Sequence, residues 1–413
     1  MNRFLAIFVP VFLLVAQFSS AQGIEGTWKG ELGFVSSKLA IVFHFDGGGC
    51  TMDSPDQGAK DIPAEVGFMS ADSVSLSNRQ LDMVFTGKLQ DGQIIGRFSQ
   101  RGLSMPLILT PGEFVRNRPQ TPEPPFPYKS EDVSFSNGNA FLSGTLVYPE
   151  GWNGKKKIPV TLMVSGSGLQ NRDEELFGHK PFLVVADYLA RNGIATLRYD
   201  DRGAGASTGD AANATTEDFM KDAAAGLDYL RSLGKFKKVG VIGHSEGGEI
   251  AFMLASRGKT DFIVSLAGPG VQGDSILLLQ NLNALRQAGS PMTVTKEFVR
   301  TSVKSQNSPW LDYFMDYDPA VDIKGIRCPA LILNGDKDVQ VEAAVNIPGI
   351  ESNLARNRRG KYVSKHTEIK VYPGLNHLFQ HCTTGQPTEY NDIEETISTE
   401  VLEDISRWIS KLK

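Results

Sequence analysis

A pentapeptide at residues 243–247, Gly-His-Ser-Glu-Gly, constrains the fold of this chain more than any other feature of its sequence. An apolar run at residues 239–242 precedes it, and a helix-compatible stretch at residues 249–257 follows it. The order of strand, tight turn and helix is that of a nucleophile elbow, in which a serine is held on a strained turn above a sheet. The flanking glycines leave room that a Cβ atom would fill. The pattern therefore predicts that Ser245 is an exposed nucleophile.

The chain from residue 130 to residue 413 alternates between apolar runs and amphipathic segments. Continuous Val, Ile and Leu runs between amphipathic helices are typical of a mostly parallel sheet covered on both faces. The predicted strands are 133–136, 141–148, 159–165, 194–199, 238–243, 262–267, 329–334 and 368–372, and the predicted helices are 181–191, 216–233, 247–257 and 392–412. We therefore expect an α/β domain over residues 130–413.

Residues 271–326 interrupt this alternation. They contain two helix-compatible segments, 276–287 and 295–304, followed by four aromatic residues, Trp310, Tyr313, Phe314 and Tyr317. Structureless loops of this length are uncommon, so we predict a helical cap inserted over the C-terminal edge of the sheet. We expect the cap to line the acyl or leaving-group pocket, although a role in packing alone is the alternative.

The chain before residue 113 has a different pattern. Residues 23–112 consist of short alternating runs separated by Gly, Asp, Asn and Ser turns, which predicts a small all-β domain, either a barrel or a sandwich. Closely spaced prolines follow at residues 118–128, and they exclude a helix or a central strand. We therefore place a Pro-rich linker at residues 113–129.

The first residues indicate export. Arg3 is followed by an apolar run at residues 4–18 and then by small residues, and the run is short for a membrane span. We predict a secretory signal peptide over residues 1–21, so that the mature protein begins at Gln22 and is periplasmic or extracellular in a bacterium. An uncleaved N-terminal anchor is the alternative. No later stretch of the sequence is long and apolar enough to span a bilayer.

Composition narrows the choice of partners and cofactors. The net charge is −5 and no basic run is present, so nothing favours nucleic acid as a partner. Three cysteines are too few, and odd in number, for a disulfide scaffold, although Cys382 lies close enough in sequence to His377 for a regulatory role to be conceivable. The glycine pattern at 203–209 does not fit a dinucleotide-binding loop, and no paired-Cys or His-Glu-x-x-His metal pattern occurs. We expect neither a cofactor nor a metal.

A serine nucleophile needs a base, and that base needs an acid to orient it. The order serine, acid, histidine is the one expected on this kind of sheet. Asp336 and Asp338 both follow the predicted strand 329–334, at the edge where ligand-binding groups of α/β sheets gather. We prefer Asp338 because of its spacing from the strand and keep Asp336 as the alternative. Either residue could instead cap the next helix.

The preferred base is His377, which follows the last predicted strand, 368–372, on a turn at the same edge. His381 lies one turn away and is the main competitor. His366 precedes that strand and should therefore lie at the opposite edge. His244 adjoins the serine, where we expect its ring to be unable to face the serine oxygen properly.

Acyl transfer also needs two backbone donors for the oxyanion. One should be the amide of Glu246, directly after the nucleophile. The second should come from the Gly-rich loop after strand 159–165, with Ser167 or Gly168 as the donor. Arg172 and Arg202 follow neighbouring strands and loops, and either could hold a substrate carboxylate. An equally good interpretation is that they pair with acidic residues and fix the loops.

From about residue 130 onward the chain resembles the α/β-hydrolase superfamily, and most closely the bacterial exported serine esterases related to the prolyl-oligopeptidase-like and cinnamoyl-esterase groups. The motifs that carry the resemblance are 165–168 (Ser-Gly-Ser-Gly), 171–174 (Asn-Arg-Asp-Glu), 198–203, 243–248, 335–338 and 376–377. The resemblance implies that Ser245 is the nucleophile, Asp338 the acid and His377 the base. One departure is the oxyanion loop, where Ser165 and Gly166 stand in place of the usual His-Gly pair.

The resemblance implies a carboxylesterase that cleaves small-molecule esters through an acyl-enzyme. A serine peptidase of the prolyl-oligopeptidase-like or aminopeptidase type is the alternative, and Asp173 and Glu174 keep it open because a pocket acid could receive a free α-amino group. A third interpretation, of another class, is a non-catalytic protein whose β-domain binds polysaccharide or a protein partner. The sequence carries no prediction of the oligomeric state.

Overall fold

The structure, a computed structural model, describes residues 23–33, 38–57 and 59–412. The chain divides into two compact units, of which the first ends at Val115 and the second begins at Arg116. The predicted signal peptide, residues 1–21, lies outside the described residues.

The first unit is a closed barrel of antiparallel strands in chain order, and β1 pairs with β8 to close it. The strands are β1 (Gly26–Gly33), β2 (Lys38–Asp46), β3 (Gly49–Ser54), β4 (Ala59–Met69), β5 (Ser73–Asn78), β6 (Met83–Gln90), β7 (Gln93–Gln100) and β8 (Leu103–Pro111), with a 3₁₀ turn at Pro55–Gln57. The all-β prediction is confirmed, and of its two alternatives the barrel is the one observed.

Alternate residues of each strand fill the barrel interior. Trp28 and Leu32 point inward from β1, and Phe43 of β2 stacks on Phe85 of β6 with ring centroids 5.1 Å apart. A Cβ atom on Gly96 would lie 2.3 Å from the carbonyl oxygen of Thr86 and 2.7 Å from the Phe85 ring, so only glycine fits beside this ring. The interior is thus a packed apolar core.

The second unit is built on an eight-stranded sheet with the order β16-β15-β14-β13-β11-β12-β10-β9. Its strands are β9 (Ser130–Asn137), β10 (Ala140–Val147), β11 (Ile158–Val164), β12 (Ala195–Tyr199), β13 (Phe236–His244), β14 (Ile263–Leu266), β15 (Ala330–Gly335) and β16 (Glu368–Tyr372). β9 pairs antiparallel with β10, and β10 pairs antiparallel with β12, whereas the pairs from β12 to β16 are parallel. The predicted mostly parallel α/β fold is confirmed.

Helices cover both faces of this sheet. They are α1 (Pro181–Arg191), α2 (Thr216–Ser232), α3 (Glu246–Ser256), α8 (Ala343–Asn353) and α9 (Thr399–Lys411), with a 3₁₀ turn at Pro387–Glu389. One buried apolar cluster joins β-strand residues to α2 and α3, including Leu162, Leu227 and Phe252. A second cluster joins the other face to α1 and α9, including Leu189 and Trp408. Because both faces are buried, the strands need to be apolar on both sides, which explains their continuous Val, Ile and Leu runs.

Four helices occupy the interruption at residues 271–326. They are α4 (Gly273–Gln287), α5 (Lys296–Lys304), α6 (Pro309–Asp316) and α7 (Ala320–Ile323). The hydroxyl of Ser308 accepts from the amide of Leu311 and caps α6, which carries Trp310, Tyr313 and Phe314. The aromatic cluster of the sequence is therefore mainly one face of a short cap helix.

One helix start was predicted wrongly, and the helix α8 was missed. The last helix begins at Thr399, not at residue 392, because the preceding backbone groups bind side chains instead: Gln120 accepts from the amides of Thr396 and Ile397, and Gln380 donates to the carbonyl of Glu395. The helix α8 was missed because it contains Pro348, which predicts a break in a helix interior.

The predicted linker, residues 113–129, contains the boundary between the two units. Its second part is fastened to the second unit by side chains. Arg118 donates to the carbonyl oxygens of Phe177, Asn391 and Ile393, at 2.8 to 3.3 Å. These bonds satisfy loop carbonyls around the start of α1 and the approach to α9. Within the described residues, no helix has both the length and the apolar composition needed to cross a bilayer.

Candidate active site

Ser245 occupies the turn between β13 and α3, with φ 53° and ψ −117°. A left-handed backbone is strained for a residue with a Cβ atom, and this one is held by its two neighbouring glycines. A Cβ atom on Gly243 would lie 1.9 Å from the carbonyl oxygen of Gly247, and one on Gly247 would lie 2.0 Å from that of Val164. The Gly-x-Ser-x-Gly pattern is therefore a steric requirement of this turn.

Asp338 and His377 follow two adjacent parallel strands, β15 and β16. The Nδ1 atom of His377 donates to Oδ2 of Asp338 at 2.8 Å, and both residues are buried. The other oxygen, Oδ1, accepts from the amides of Gln340 and Val341, each at 2.8 Å. Because Nδ1 is donating, Nε2 of His377 is the nitrogen that can act as a base.

Ser245 and His377 line one cavity of about 250 Å³, together with Glu246, Gly166 and Ser167. The apolar part of its lining comes from both the cap and the body of the unit: Ile276, Leu277, Trp310 and Phe314 from the cap, and Leu176, Pro269, Val341 and Leu378 from the body. The cap thus forms one wall of the cavity that contains the serine.

The competing acid and base lie elsewhere. Asp336 accepts from the amide of Gly374 at 2.6 Å and is exposed. His381 is exposed and pairs with Glu395 at 2.9 Å. Among the described residues that line the serine's cavity, neither Asp336 nor His381 occurs. The structure therefore brings Asp338 and His377, of the weighed candidates, to the nucleophile elbow.

Gly166 and Ser167 run along the cavity beside Ser245. A Cβ atom on Gly166 would lie 3.2 Å from that of Ser245, so the loop passes very close to the nucleophile. The amide of Gly166 already donates to Oε1 of Glu174 at 2.7 Å, which leaves Ser167 as the better placed donor of this loop. Gly168, the other predicted donor, is absent from the described residues that line the cavity. The amide of Glu246 opens α3, where a helix N-terminus favours negative charge.

The departure at Ser165 has a structural explanation. Its hydroxyl lies 3.0 Å from the carboxyl group of Asp201, and the same carboxyl group accepts from the amide of Gln170 at 2.9 Å. One buried acid on the segment after β12 therefore holds both ends of the oxyanion loop. Burial, helped by the nearby carboxylates of Glu246 and Glu174, raises the pKa of Asp201 to about 8.

Glu246 has a second role that its position in the motif did not reveal. Its buried carboxylate accepts from Thr216 Oγ1 at 2.6 Å and from Trp310 Nε1 at 2.8 Å, and the side chain of Ser167 also hydrogen-bonds to it. Burial raises the pKa of this carboxyl above its usual range. Glu246 therefore links the cap helix α6, the start of α2 and the oxyanion loop at one point.

Sequence reasoning also missed a buried pair, Glu174 and His244. Nδ1 of His244 lies 2.9 Å from Oε1 of Glu174, and Nε2 lies 3.0 Å from the carbonyl oxygen of His377. The expectation that His244 does not serve Ser245 fits this geometry, because both ring nitrogens are engaged. The Asn-Arg-Asp-Glu motif at residues 171–174 drew attention to Glu174, but its neighbours in sequence do not indicate that it pairs with His244.

Arg172 and Arg202 are engaged with carboxylates. Arg172 makes two bonds to Asp200, at 2.8 and 3.1 Å, and also donates to the hydroxyls of Ser143 and Thr145. Arg202 makes two bonds of 2.6 Å to Asp222. Neither arginine is one of the described residues around the serine's cavity. The geometry favours the interpretation in which both arginines fix loops.

The described residues contain neither a disulfide nor a cluster of metal-binding side chains. Cys50, Cys328 and Cys382 are free thiols, and Cys382 Sγ donates to the carbonyl of Gly374 at 3.4 Å. In the part of the chain that the structure describes, no three His, Cys, Asp or Glu side chains are grouped so as to hold a metal ion.

Comparisons with known proteins agree with this architecture. Residues 180–327, which include Ser245 but neither Asp338 nor His377, match the family described as serine aminopeptidase, S33. Esterase EstD of Thermotoga maritima is 25% identical over 303 residues, which cover 70% of this chain and 69% of that protein. The second unit has the α/β-hydrolase fold.

Solved structures similar to this chain include two esterases. Pyrococcus furiosus esterase PF2001 is 18% identical with a TM-score of 0.48, and the match covers 69% of this chain and 91% of that one. Est1E from Butyrivibrio proteoclasticus, solved with ferulic acid bound, is 17% identical with a TM-score of 0.47, and the match covers 68% of this chain and 98% of that one.

Proposed function

We propose that this α/β-hydrolase is a carboxylesterase that works through a serine acyl-enzyme. The observation that carries the proposal is the 2.8 Å bond between the buried Asp338 and His377, a residue that lines the same cavity as Ser245. An imidazole oriented by a buried carboxylate, beside a serine on a strained turn, is the arrangement that activates a hydroxyl for attack on a carbonyl.

In this mechanism His377 Nε2 takes the proton of Ser245 as the serine oxygen attacks the ester carbonyl. Asp338 stabilises the imidazolium that forms, and the amides of Glu246 and Ser167 donate to the oxyanion. His377 then gives the proton to the leaving alcohol, and the acyl group stays on Ser245. Water, activated by the same imidazole, releases the acid and restores the serine.

The cavity supports small and medium neutral esters as substrates. Its walls are largely apolar, and a volume of about 250 Å³ leaves room for a short acyl chain or a compact alcohol. The related Thermotoga maritima protein is named an esterase, which supports the same substrate class.

The peptidase alternative requires an acid free to receive an α-ammonium group. Asp173 pairs with Arg198, and Glu174 pairs with His244 and with the amide of Gly166. Asp173 and Oε1 of Glu174 already have partners, but Oε2 of Glu174 is buried without a hydrogen-bond partner among the described residues, so this acid and the family match to a serine aminopeptidase keep the peptidase worth testing.

The deciding experiment compares the purified enzyme with Ser245→Ala on short- to medium-chain p-nitrophenyl esters and on aminoacyl anilides. We expect ester turnover that Ser245→Ala abolishes, with anilide cleavage at least about 100-fold weaker. A comparable rate on anilides would assign the enzyme to the peptidases. Intact ester turnover in Ser245→Ala would contradict the serine mechanism, and absent turnover with polysaccharide binding would favour the non-catalytic protein.

We also propose that the enzyme is exported to the periplasm or the medium after removal of residues 1–21. The support is the basic start, the short apolar run and the small residues that end at Ala21. N-terminal sequencing of the protein from a cell fraction tests this: a chain that begins at Gln22 agrees with export, and an intact Met1 in the membrane fraction would contradict it.

A further inference from the structure

His244 and Glu174 form a buried ionisable pair directly beside the nucleophile. Their side chains are only 9% and 7% exposed, and the bond between them is 2.9 Å. Burying two ionisable groups costs several kcal/mol unless the geometry and the remaining hydrogen bonds are good. A pair of this kind at the residue before Ser245 therefore calls for a functional explanation.

The pair connects three segments of the active site. Oε1 of Glu174 accepts both from His244 and from the amide of Gly166 in the oxyanion loop, at 2.9 and 2.7 Å. The opposite side of the imidazole, Nε2, lies 3.0 Å from the carbonyl oxygen of His377. His244 is also joined covalently to Ser245. The oxyanion loop, the nucleophile and the base loop thus meet at this pair.

The hydrogen bonds define the protonation state of His244. Its two ring nitrogens face a carboxylate and a backbone carbonyl, neither of which can donate a hydrogen bond when Glu174 is ionised. A neutral imidazole donates from one nitrogen only, so two such acceptors require the imidazolium. Burial alone would lower the pKa of His244, but the Glu174 carboxylate and the two hydrogen bonds raise it above its ordinary value.

The titratable surroundings of His244 are few in the described chain. Glu174 contacts one edge of the ring, the His377 ring lies 4.8 Å away with a tilt of 46°, and Asp338 adds a more distant negative charge. Two carboxylates therefore favour the protonated ring.

We propose that the protonated His244–Glu174 pair is a positioning device that holds the oxyanion loop and the base loop around Ser245, and that loss of its proton limits turnover at alkaline pH. The inference rests on the proposed esterase activity, since it names what keeps that same site assembled. When His244 loses its proton, either Glu174 or the His377 carbonyl loses its donor. The oxyanion loop and the base loop then move away from their productive positions around Ser245, and small displacements of this kind lower kcat.

The test compares Glu174→Gln with a matched control, Glu395→Gln. Glu395 forms the same kind of pair with His381, also at 2.9 Å, but at the surface and away from the cavity. We expect wild type and Glu395→Gln to lose kcat together at alkaline pH. Glu174→Gln should lose kcat at lower pH, because His244 no longer faces a carboxylate. At neutral pH its kcat should be roughly tenfold lower, with KM changed less than about twofold.

A merely structural role predicts a different result. If Glu174→Gln lowers kcat by the same factor at every pH, or if wild type keeps full kcat up to the pH at which its circular dichroism changes, the proposal is overturned. Circular dichroism at each pH ensures that only folded enzyme is compared.

A measurement without turnover separates this proposal from the proposed function. In ¹⁵N-histidine-labelled wild type, with the signals of His244 assigned by their loss in His244→Asn, both ring nitrogens should have protonated shifts at pH 7. A nitrogen with an unprotonated shift would overturn the proposal even if Glu174→Gln fails to fold. Protonated shifts in a protein that cleaves no ester would contradict only the esterase.

Discussion

The barrel and the hydrolase unit bury very different side chains. Among the described residues of the barrel, the buried polar side chains are Ser54 and Asn78, both neutral. The hydrolase unit buries many ionisable ones, including Glu174, Asp201, His244, Glu246, Glu249, Asp338 and His377. Buried charge is costly, and it is retained mainly where charge is used. The contrast indicates that the barrel interior is filled by apolar packing, whereas the C-terminal edge of the sheet in the second unit buries ionisable groups at a cost in stability.

The ionisable groups of that edge form a layered arrangement around Ser245. Asp338 binds the proposed base, Glu174 and Asp201 bind the proposed oxyanion loop, and Glu246 binds the cap. Glu249 lies deeper, and burial together with the nearby carboxylates of Glu246 and Asp322 raises its pKa well above the usual range. Asp338, Glu174, Asp201 and Glu246 each accept a hydrogen bond from another segment, so the layer joins segments that are distant in sequence.

The largest expected effect is that of Asp338→Asn. The amide keeps the size of the side chain but cannot stabilise the imidazolium, so kcat should fall roughly 10⁴-fold while the unfolding midpoint changes little. Asp336→Asn is the matched control and should keep kcat within about twofold, because Asp336 binds only the amide of Gly374. Similar losses in both variants would contradict the assignment of the acid.

The next effect tests the barrel. Phe85 is fully buried against Phe43, so Phe85→Ala should cost about 3–5 kcal/mol of barrel stability. The proposed catalytic groups all lie in the second unit, and kcat/KM for a p-nitrophenyl ester should therefore stay unchanged below the unfolding temperature. Chemical unfolding and ester turnover, measured on the same sample, test the expected loss of stability and the unchanged kcat/KM. A large loss of turnover in the folded variant would contradict this expectation.

A smaller effect is expected where the cap meets the elbow. Trp310→Phe keeps an aromatic ring beside Phe314 but removes the Nε1 donor to Glu246. One buried acceptor then loses a bond, which costs about 1 kcal/mol, or roughly fivefold in kcat/KM. Tyr313→Phe, on the same helix, should change kcat/KM by less than about twofold. Equal effects of the two substitutions would mean that the cap acts through general packing.

The sequence predicted those parts of the fold and the site that depend on local pattern. The elbow, the strands and most helices follow from apolar periodicity, glycines and chain order, which are properties of neighbouring residues. The preference for Asp338 and His377 followed from their places after β15 and β16, and the structure brings those two side chains together at 2.8 Å. Because β15 and β16 are parallel, the residues that follow them lie at the same edge of the sheet, whatever conformation the intervening loops adopt.

The features that were missed depend on contacts between distant residues. The partners Glu174 and His244 are 70 positions apart, and no local pattern pairs them. The start of α9 was misplaced because Gln120, far away in the linker, takes the amides that would have continued the helix. The helix α8 forms around Pro348 because tertiary packing overrides local propensity.

The last expected effect concerns the pH dependence of stability and follows from Asp201. Its carboxyl has a pKa of about 8 in the folded protein, against 3.8 for an ordinary aspartate. Between these values the native state keeps a proton that the unfolded chain releases. The free energy of unfolding therefore falls as pH rises through this window, and the contribution is fully present only at its acid end.

Asp201→Asn removes this titration while its side-chain oxygen can still accept from the amide of Gln170. We expect the unfolding free energy of the second unit to decline less between pH 5 and pH 8 than in wild type, as measured by urea unfolding. Asp228→Asn, at an exposed position of α2, should retain the wild-type slope. If Asp201→Asn declines as steeply as wild type, then Asp201 is ionised throughout, and the oxyanion loop is held by a buried charge instead of by a neutral acid.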